Sequence, residues 1–189
     1  MCRIFSLKLG PTESTQAHRH LHDSIMIALS EKKTKFEDDI MGKGPTKVKM
    51  ETGEFQFIQY SSEPIVHKIT NLSSSEELHL IFIETLKAAG AAQKKSTKDE
   101  KLELVNKTDT YRLYKFALQP RELGSVKYPF FYVRIIVRGA KIIETVKPQN
   151  MKWLQDMKAG DCKLYSPNKE LDLKNCSQEP FEAYIIEFR

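Results

Sequence analysis

Four of the five histidines lie in two short segments of the chain. His18, His20 and His22 alternate with other residues, and His67 follows later, four residues before Asn71. In an extended strand alternate side chains share one face, so the first three imidazoles would lie together if the strand is regular. Neutral imidazoles are the commonest protein ligands of transition metals. The pattern therefore predicts a site for a divalent transition metal ion, with Fe, Mn, Zn and Ni all open.

The first of these segments resembles the first motif of the cupin superfamily, G(X)5HXH(X)3–4E. Thr12 stands where the motif has glycine, and five residues separate it from His18-Arg19-His20. The resemblance implies that His18 and His20 are metal ligands. The glutamate of the motif would fall on Ser24 or Ile25, so this carboxylate ligand is missing from its expected place.

The second segment resembles the second cupin motif, G(X)5PXG(X)2H(X)3N. Gly53 begins it and His67 and Asn71 close it, with a longer spacing between them than the motif has. The resemblance implies that His67 is the third metal ligand. It covers most of residues 2–86 and more weakly residues 110–189, so the whole chain is similar to a bicupin, as in small bacterial cupin-domain proteins.

The fourth ligand is left open between His22, Asp23 and a water molecule. On a regular strand His22 shares a face with His20, whereas Asp23 points away unless a bulge intervenes. Three imidazoles with a position left for water are also a known catalytic arrangement. Two carboxylates that recur at equivalent places, Glu84 and Glu187, are expected to be solvated charges at strand ends.

Short apolar or alternating runs dominate the rest of the chain. They are rich in β-branched and aromatic residues and are separated by Gly, Pro, Ser and Asn, a pattern typical of an all-β sandwich or barrel. Strands are predicted over residues 3–9, 24–30, 54–60, 78–86, 111–118, 131–138, 161–166 and 183–188.

The pattern of the first half returns in the second half. Residues 2–11 align with residues 111–120, and later blocks that end near Asn71 and Asn175 keep the same order. Ordered self-similarity of this kind indicates a duplicated domain. The predicted fold is therefore all-β, with two cupin-type β-barrels (double-stranded β-helices, or jelly rolls) in tandem. The predicted parts are an N-terminal barrel with the metal site over 1–86, a linker over 87–109 and a degenerate C-terminal barrel over 110–189.

The second copy lacks the histidines of the first. At the constant offset of 109 between the copies, Lys127 and Pro129 take the places of His18 and His20. Leu171 takes the place of the third histidine, because it stands four residues before the asparagine of the second copy. Only the first barrel is therefore expected to hold a metal ion.

Charge and composition set the expected partners and compartment. The net charge is +5, from 30 basic and 25 acidic residues that are interspersed along the chain, so a solvated surface is expected and not a nucleic-acid partner. No apolar run approaches the roughly 20 residues of a membrane helix, so no membrane partner is expected. The three cysteines are dispersed, which favours a reducing cytoplasm. A secreted form with a removed leader is left open.

These observations predict a metal-binding protein of cupin type. Its expected partner is a small-molecule ligand in the mouth of the first barrel, and a homodimer is left open. If the protein is an enzyme, a small-molecule oxygenase, isomerase or lyase fits such a site best. The alternative is a non-catalytic bicupin that binds a ligand or has a structural role. The sequence assigns no catalytic residue.

Overall fold

The computed structural model describes residues 2–86 and 101–188. The chain divides into two compact units, Met1–Lys87 and Ala88–Arg189. Throughout the described residues the regular structure consists of β-strands, and no helix among them is long and apolar enough to cross a membrane. The prediction of an all-β fold is confirmed.

The first unit is a pair of four-stranded antiparallel sheets. Its strands are β1 (Cys2–Leu9), β2 (His18–His20), β3 (Ser24–Ala28), β4 (Thr34–Ile40), β5 (Gly44–Met50), β6 (Phe55–Ile58), β7 (Ile65–Asn71) and β8 (Leu78–Thr85). The strand order is β1-β8-β3-β6 in one sheet and β2-β7-β4-β5 in the other. The histidine segments are thus neighbours, because β2 pairs with β7 at one edge of the second sheet.

Side chains from both sheets of this unit meet in one core. Met26 and Phe82 enter it from the first sheet, and Phe36 and Ile69 enter it from the second. Successive residues of a strand point to opposite faces, so each strand contributes every other side chain to this core. The two sheets therefore pack face to face, as in a jelly-roll barrel.

The second unit repeats this arrangement and adds one strand. Its strands are β9 (Leu102–Lys107), β10 (Tyr111–Leu118), β11 (Leu123–Lys127), β12 (Tyr132–Arg138), β13 (Ala140–Lys147), β14 (Met151–Met157), β15 (Cys162–Tyr165), β16 (Glu170–Asn175) and β17 (Phe181–Phe188). The sheet orders are β15-β12-β17-β10-β9 and β11-β16-β13-β14. Apart from β9, each strand has a counterpart in the first unit at the same place in the same kind of sheet, which confirms the predicted fold of two β-barrels in tandem.

The eight predicted strands are all present, as β1, β3, β6, β8, β10, β12, β15 and β17, with ends shifted by at most two residues. All eight belong to one kind of sheet, the one that contains β1 in the first unit and β10 in the second. The strands of the other sheets were not among these eight predicted ranges.

Strand β9 corrects the predicted linker. Residues 87–100 of that linker lie outside the described residues, but Leu102–Lys107 forms a strand that pairs antiparallel with β10. Leu102 packs against the core of the second unit, so this segment does bury apolar surface. Charged residues surround Leu102 in the sequence, which is why the segment was predicted to be a linker.

Candidate metal centre

The three histidines of the two cupin-like motifs meet in the first unit. His18 lies directly opposite His67 in the pairing of β2 with β7, and His20 lies two residues further along β2. Alternation along β2 puts His18 and His20 on the same face. The ring centroids are 4.6–5.1 Å apart, and one ring nitrogen from each residue lies within 4.8 Å of the others.

A hydrogen bond holds the Nδ1 atom of each ring. His18 Nδ1 lies 2.9 Å from the backbone oxygen of Gln16. His20 Nδ1 lies 3.2 Å from Glu84 Oε1, and His67 Nδ1 lies 2.6 Å from Asp38 Oδ1. A carbonyl oxygen and an ionised carboxylate can only accept, so each Nδ1 must carry the proton. In the neutral rings this leaves all three Nε2 atoms as acceptors.

The Nε2 atoms converge without donors between them. His18 Nε2 and His67 Nε2 are 3.1 Å apart, and His20 Nε2 is buried without a hydrogen-bond partner among the described residues. Facing lone pairs repel each other, and a buried acceptor without a partner costs about 1–3 kcal/mol. A bound cation would relieve both conditions. This donor set fits a divalent transition metal, for which imidazole nitrogen is a preferred ligand.

The surroundings of His20 keep its ring neutral. Burial is the main cause that lowers the pKa of His20, and the neighbouring imidazoles of His67 and His18 lower it further, whereas the bond to Glu84 raises it. Tyr60 stacks on His20 with ring centroids 4.7 Å apart. Burial, with the nearby charges of Asp38 and Glu84, raises the pKa of the Tyr60 hydroxyl well above its usual value. The phenol therefore stays neutral at ordinary pH.

The two protein candidates for a fourth ligand lie outside this cluster. Strand β2 ends at His20 and the chain bends at His22, so the expected regular strand through His22 is not formed. His22 is accordingly absent from the group of convergent nitrogens in the described part of the chain. Asp23 Oδ1 instead accepts hydrogen bonds from the backbone nitrogen and hydroxyl of Ser61, at 2.9 and 2.6 Å. Asp23 therefore stabilises the turn that contains Ser61.

Glu84 is the residue that the sequence interpretation misjudged. It lies directly opposite Ser24 in the pairing of β3 with β8, so a carboxylate stands beside the place where the motif has glutamate, on the neighbouring strand. Glu84 and its counterpart Glu187 are 5% and 2% exposed, and the expectation that both are solvated is wrong. The recurrence of these two glutamates at equivalent places in both copies was the feature of the sequence that could have indicated a buried role. Glu84 Oε2 also forms an ion pair with Arg3 Nη2 at 2.9 Å.

A cavity of about 350 Å³ opens beside the histidines. His18, His20 and Glu84 form part of its lining. Its size lies at the lower end of the roughly 300–1,000 Å³ that small-molecule sites occupy. The first unit therefore combines three convergent metal-type ligands with space for a small molecule.

The second unit has apolar side chains at the corresponding places. Val126 pairs with Leu171 across β11 and β16, just as His18 pairs with His67, so Val126 and then Tyr128 replace the two histidines of β2. The assignment of Lys127 and Pro129 to these places was one residue out of register. The chain between the end of β10 and Val126 is one residue shorter than the chain between the end of β1 and His18. The constant offset of 109 therefore no longer matches equivalent residues beyond that point. Val126, Tyr128 and Leu171 are all buried in the core.

The structure as a whole is similar to solved structures of low sequence identity. AerE from Microcystis aeruginosa matches with a TM-score of 0.68 at 11% identity, over 100% of this chain and 88% of that chain. A cupin 2 conserved barrel domain protein from Leptotrichia buccalis matches with a TM-score of 0.57 at 14% identity, over 100% and 84%. Oxalate decarboxylase from Bacillus subtilis matches with a TM-score of 0.58 at 12% identity, over 98% and 68%.

Comparison with protein-family models yields no match, and comparison with curated protein sequences yields none either. At these identities the structural similarity concerns the fold. The paired sheets of each unit, their repeated strand order and the similarity to solved cupin structures lead to one conclusion. The chain has the fold of the cupin superfamily, with two cupin-type barrels in tandem.

Proposed function

We propose that the first barrel binds one divalent transition metal ion through the Nε2 atoms of His18, His20 and His67. The observation that carries this proposal is the orientation of the three rings. Each Nδ1 is held by an acceptor, so three Nε2 lone pairs point toward one another in a buried place. The metal is Fe, Mn, Zn or Ni. Oxalate decarboxylase from B. subtilis has Mn(II) centres, which is compatible with this range.

Residues around the histidines would orient and shield the metal ligands. Asp38 and Glu84 hold two of the rings by their Nδ1 atoms, an arrangement that fixes ring orientation and raises ligand basicity. Tyr60 and Phe82 both stack on His20, with centroid distances of 4.7 and 5.9 Å. These aromatic rings exclude water from one side of the site. A metal held by three protein ligands keeps open positions at which it can polarise an oxygen atom of a bound molecule.

We further propose that the protein is a small-molecule enzyme, an oxygenase, isomerase or lyase. The support is the cavity that adjoins His18 and His20, because a catalytic metal needs both an open coordination position and room for a substrate. Under this proposal the partner is a small molecule and not a nucleic acid or a membrane, the compartment is the cytoplasm, and a homodimer is left open. The competing function is a ligand-binding bicupin without catalysis.

Elemental analysis of the purified protein tests the metal proposal. The protein is expected to carry about one equivalent of a transition metal, and the H18A/H20A variant is expected to carry none. H79N is the matched control, since His79 lies in the same barrel outside the cluster and hydrogen-bonds Ser6. Circular dichroism establishes that each variant is folded. A folded H18A/H20A protein that keeps a full equivalent of metal would contradict the proposal.

A further inference from the structure

Strand β14 lies at the edge of its sheet. It pairs with β13 on one side, and no strand among the described residues pairs with its other side. Three of its seven residues, Met151, Trp153 and Leu154, are large apolar side chains that are 43–67% exposed. The backbone N–H and C=O groups of an edge strand are open to pairing with another strand. The exposed apolar side chains make β14 a candidate interaction surface.

The equivalent edge strand of the first barrel is protected against such pairing. β5 has the same place in its sheet as β14, but it contains Pro45, which has no backbone N–H to donate. Its two charged residues are the exposed lysines Lys47 and Lys49, so two such strands side by side would repel each other. Proline and lysine are residues with which natural edge strands prevent pairing. β14 has no proline and carries one charge of each sign, so it lacks this protection.

The sequence of β14 is complementary to itself in an antiparallel pair. With Leu154 at the centre, Lys152 of one copy stands opposite Asp156 of the other, and the same pair recurs across the two-fold axis. These three residues alternate along the strand and share the face opposite to Met157, which lies in the core. Lys152 and Asp156 are exposed, and neither forms an ion pair within the described part of the chain. Both charges are therefore free for a partner.

We propose that β14 pairs antiparallel with β14 of a second copy of this chain, with the two-fold axis at Leu154. The four-stranded sheets of the two copies then continue into one sheet. Opposite charges and apolar side chains that face each other across paired strands stabilise the pairing. One strand pair is a small interface, so a dissociation constant on the order of 1–100 μM is expected. β14 belongs to the second unit, and the proposal does not depend on the metal.

Sedimentation velocity over a range of protein concentrations tests this inference. A reductant is present because Cys162 and Cys176 are exposed, and runs with EDTA exclude a metal ion that bridges two copies. The unsubstituted protein is expected to change from monomer to dimer in both conditions. Trp153 is the only tryptophan of the chain and would lie opposite Gln155 of the second copy. Its fluorescence emission is therefore expected to shift to shorter wavelength over the same concentrations.

Charge reversal tests the register of the two strands. K152E and D156K each place like charges opposite each other at two positions, so each is expected to weaken the dimer about tenfold or more. The double variant K152E/D156K exchanges the two charges and is expected to restore the affinity of the unsubstituted protein. K47E is the matched control, because it reverses an exposed lysine on the equivalent strand of the first barrel. It is expected to leave the dimer unchanged.

Four results would overturn the inference. The first is a monomer at every concentration up to about 500 μM, and the second is a dimer whose formation leaves the emission of Trp153 unchanged. The third is a dimer that neither single variant weakens, since it must use another surface. The fourth is a dimer that the single variants weaken and the double variant does not restore, since the strands then do not pair in this register. The metal proposal is tested separately, by elemental analysis.

Discussion

At the place where the first barrel brings three imidazoles together, the second packs Val126, Tyr128 and Leu171. The strands that carry these residues occupy equivalent positions in equivalent sheets. The backbone of a cupin-type barrel therefore does not by itself require polar ligands in its interior. The difference shows that a barrel of this type forms without histidines at these three positions.

A carboxylate is kept at one interior position of both barrels, but its partner differs. Asp38 on β4 bonds to His67 in the first barrel. Its counterpart Glu144 on β13 bonds to Arg134 and Tyr165 at 3.1 Å each and also pairs with Lys163. Burial would raise the pKa of Glu144, but Arg134 and Lys163 outweigh it and lower this pKa below its usual value. The second barrel has an ion-pair network where the first has a carboxylate–histidine pair.

Other buried polar contacts are the same in both barrels. Asn71 donates from Nδ2 to three backbone oxygens, and Asn175 donates to the three equivalent ones. Gly53 and Gly160 have positive φ angles of 81° and 91°, a conformation that glycine adopts at little cost. The asparagine of the second cupin motif thus has a structural role here, which explains its presence in a barrel without the histidines.

The largest effect is expected from breaking the buried network of the second barrel. The variant E144A leaves the Arg134 guanidinium, 4% exposed, without its buried partner, and removal of one member of a buried pair costs about 3–5 kcal/mol. The free energy of unfolding in urea measures this loss. E170Q is the control, because Glu170 pairs with Lys127 near the surface and such pairs contribute about 0–1 kcal/mol. Equal effects of E144A and E170Q would contradict the expectation.

The second expectation is that the first barrel can be converted to the pattern of the second. H18V/H20Y/H67L replaces the three histidines by the residues of the second barrel. Metal at 100 times its dissociation constant should stabilise the unsubstituted protein by about 2.7 kcal/mol and the triple variant not at all. The metal-free variant loses three converging acceptors, which favours folding, but it also leaves Glu84 and Asp38 without the Nδ1–H donors of His20 and His67. Because these effects oppose each other, the stability of the metal-free variant is expected to stay close to that of the metal-free protein. Thermal or urea unfolding with and without metal measures both effects, and a marked loss of metal-free stability would show that the histidines support folding.

A third expectation concerns the two interior carboxylates. D38N should weaken metal binding by about 10–100-fold, because Asp38 orients His67 and raises its basicity. D39N is the matched control on the same strand, since Asp39 is exposed. Competition with a chelator of known affinity gives the metal dissociation constants. Equal affinities for D38N and D39N would show that the bond between Asp38 and His67 does not contribute to metal binding.

The smallest effect is expected from acid. All five histidines lie between residues 18 and 79, so this effect belongs to the first barrel. Burial is the main cause that lowers the pKa of His79; Lys8 lowers this pKa further, and Glu77 raises it. The unfolded chain takes up this proton at about pH 6.5 and the folded chain only at lower pH. The unfolded state therefore binds more protons in that window, and stability falls as the pH drops below about 6.5.

The variant H79N should reduce this loss of stability in metal-free protein. Urea unfolding at pH 8 and pH 5.5 measures it. K127Q, at an exposed position of the second barrel, is the control and should keep the full loss. If H79N loses as much stability as the unsubstituted protein between the two pH values, His79 is not one of the groups responsible.

Burial explains why some strands were predicted from the sequence and some were not. The predicted strands include β3 and β8, in which almost every residue is buried, so they appear in the sequence as apolar runs. Strand β4 alternates buried and exposed residues over its first part, and β5 and β14 are exposed along most of their length; all three carry charged residues. In such strands only every other position needs to be apolar, and short strands then offer too few positions for the pattern to be recognised.

The alternation of His18 with His20, together with the resemblance of the His67 segment to the second cupin motif, was sufficient to predict a common site, because both are local properties of the chain. Strands that are distant in the sequence decided where β2 ends, which groups bond to the Nδ1 atoms, and that Glu84 is buried. Asp38 lies 29 residues from His67, and Glu84 lies 64 residues from His20. Register between strands depends on the exact length of each connection and on packing, so a one-residue difference before β11 was enough to displace the predicted equivalents in the second barrel.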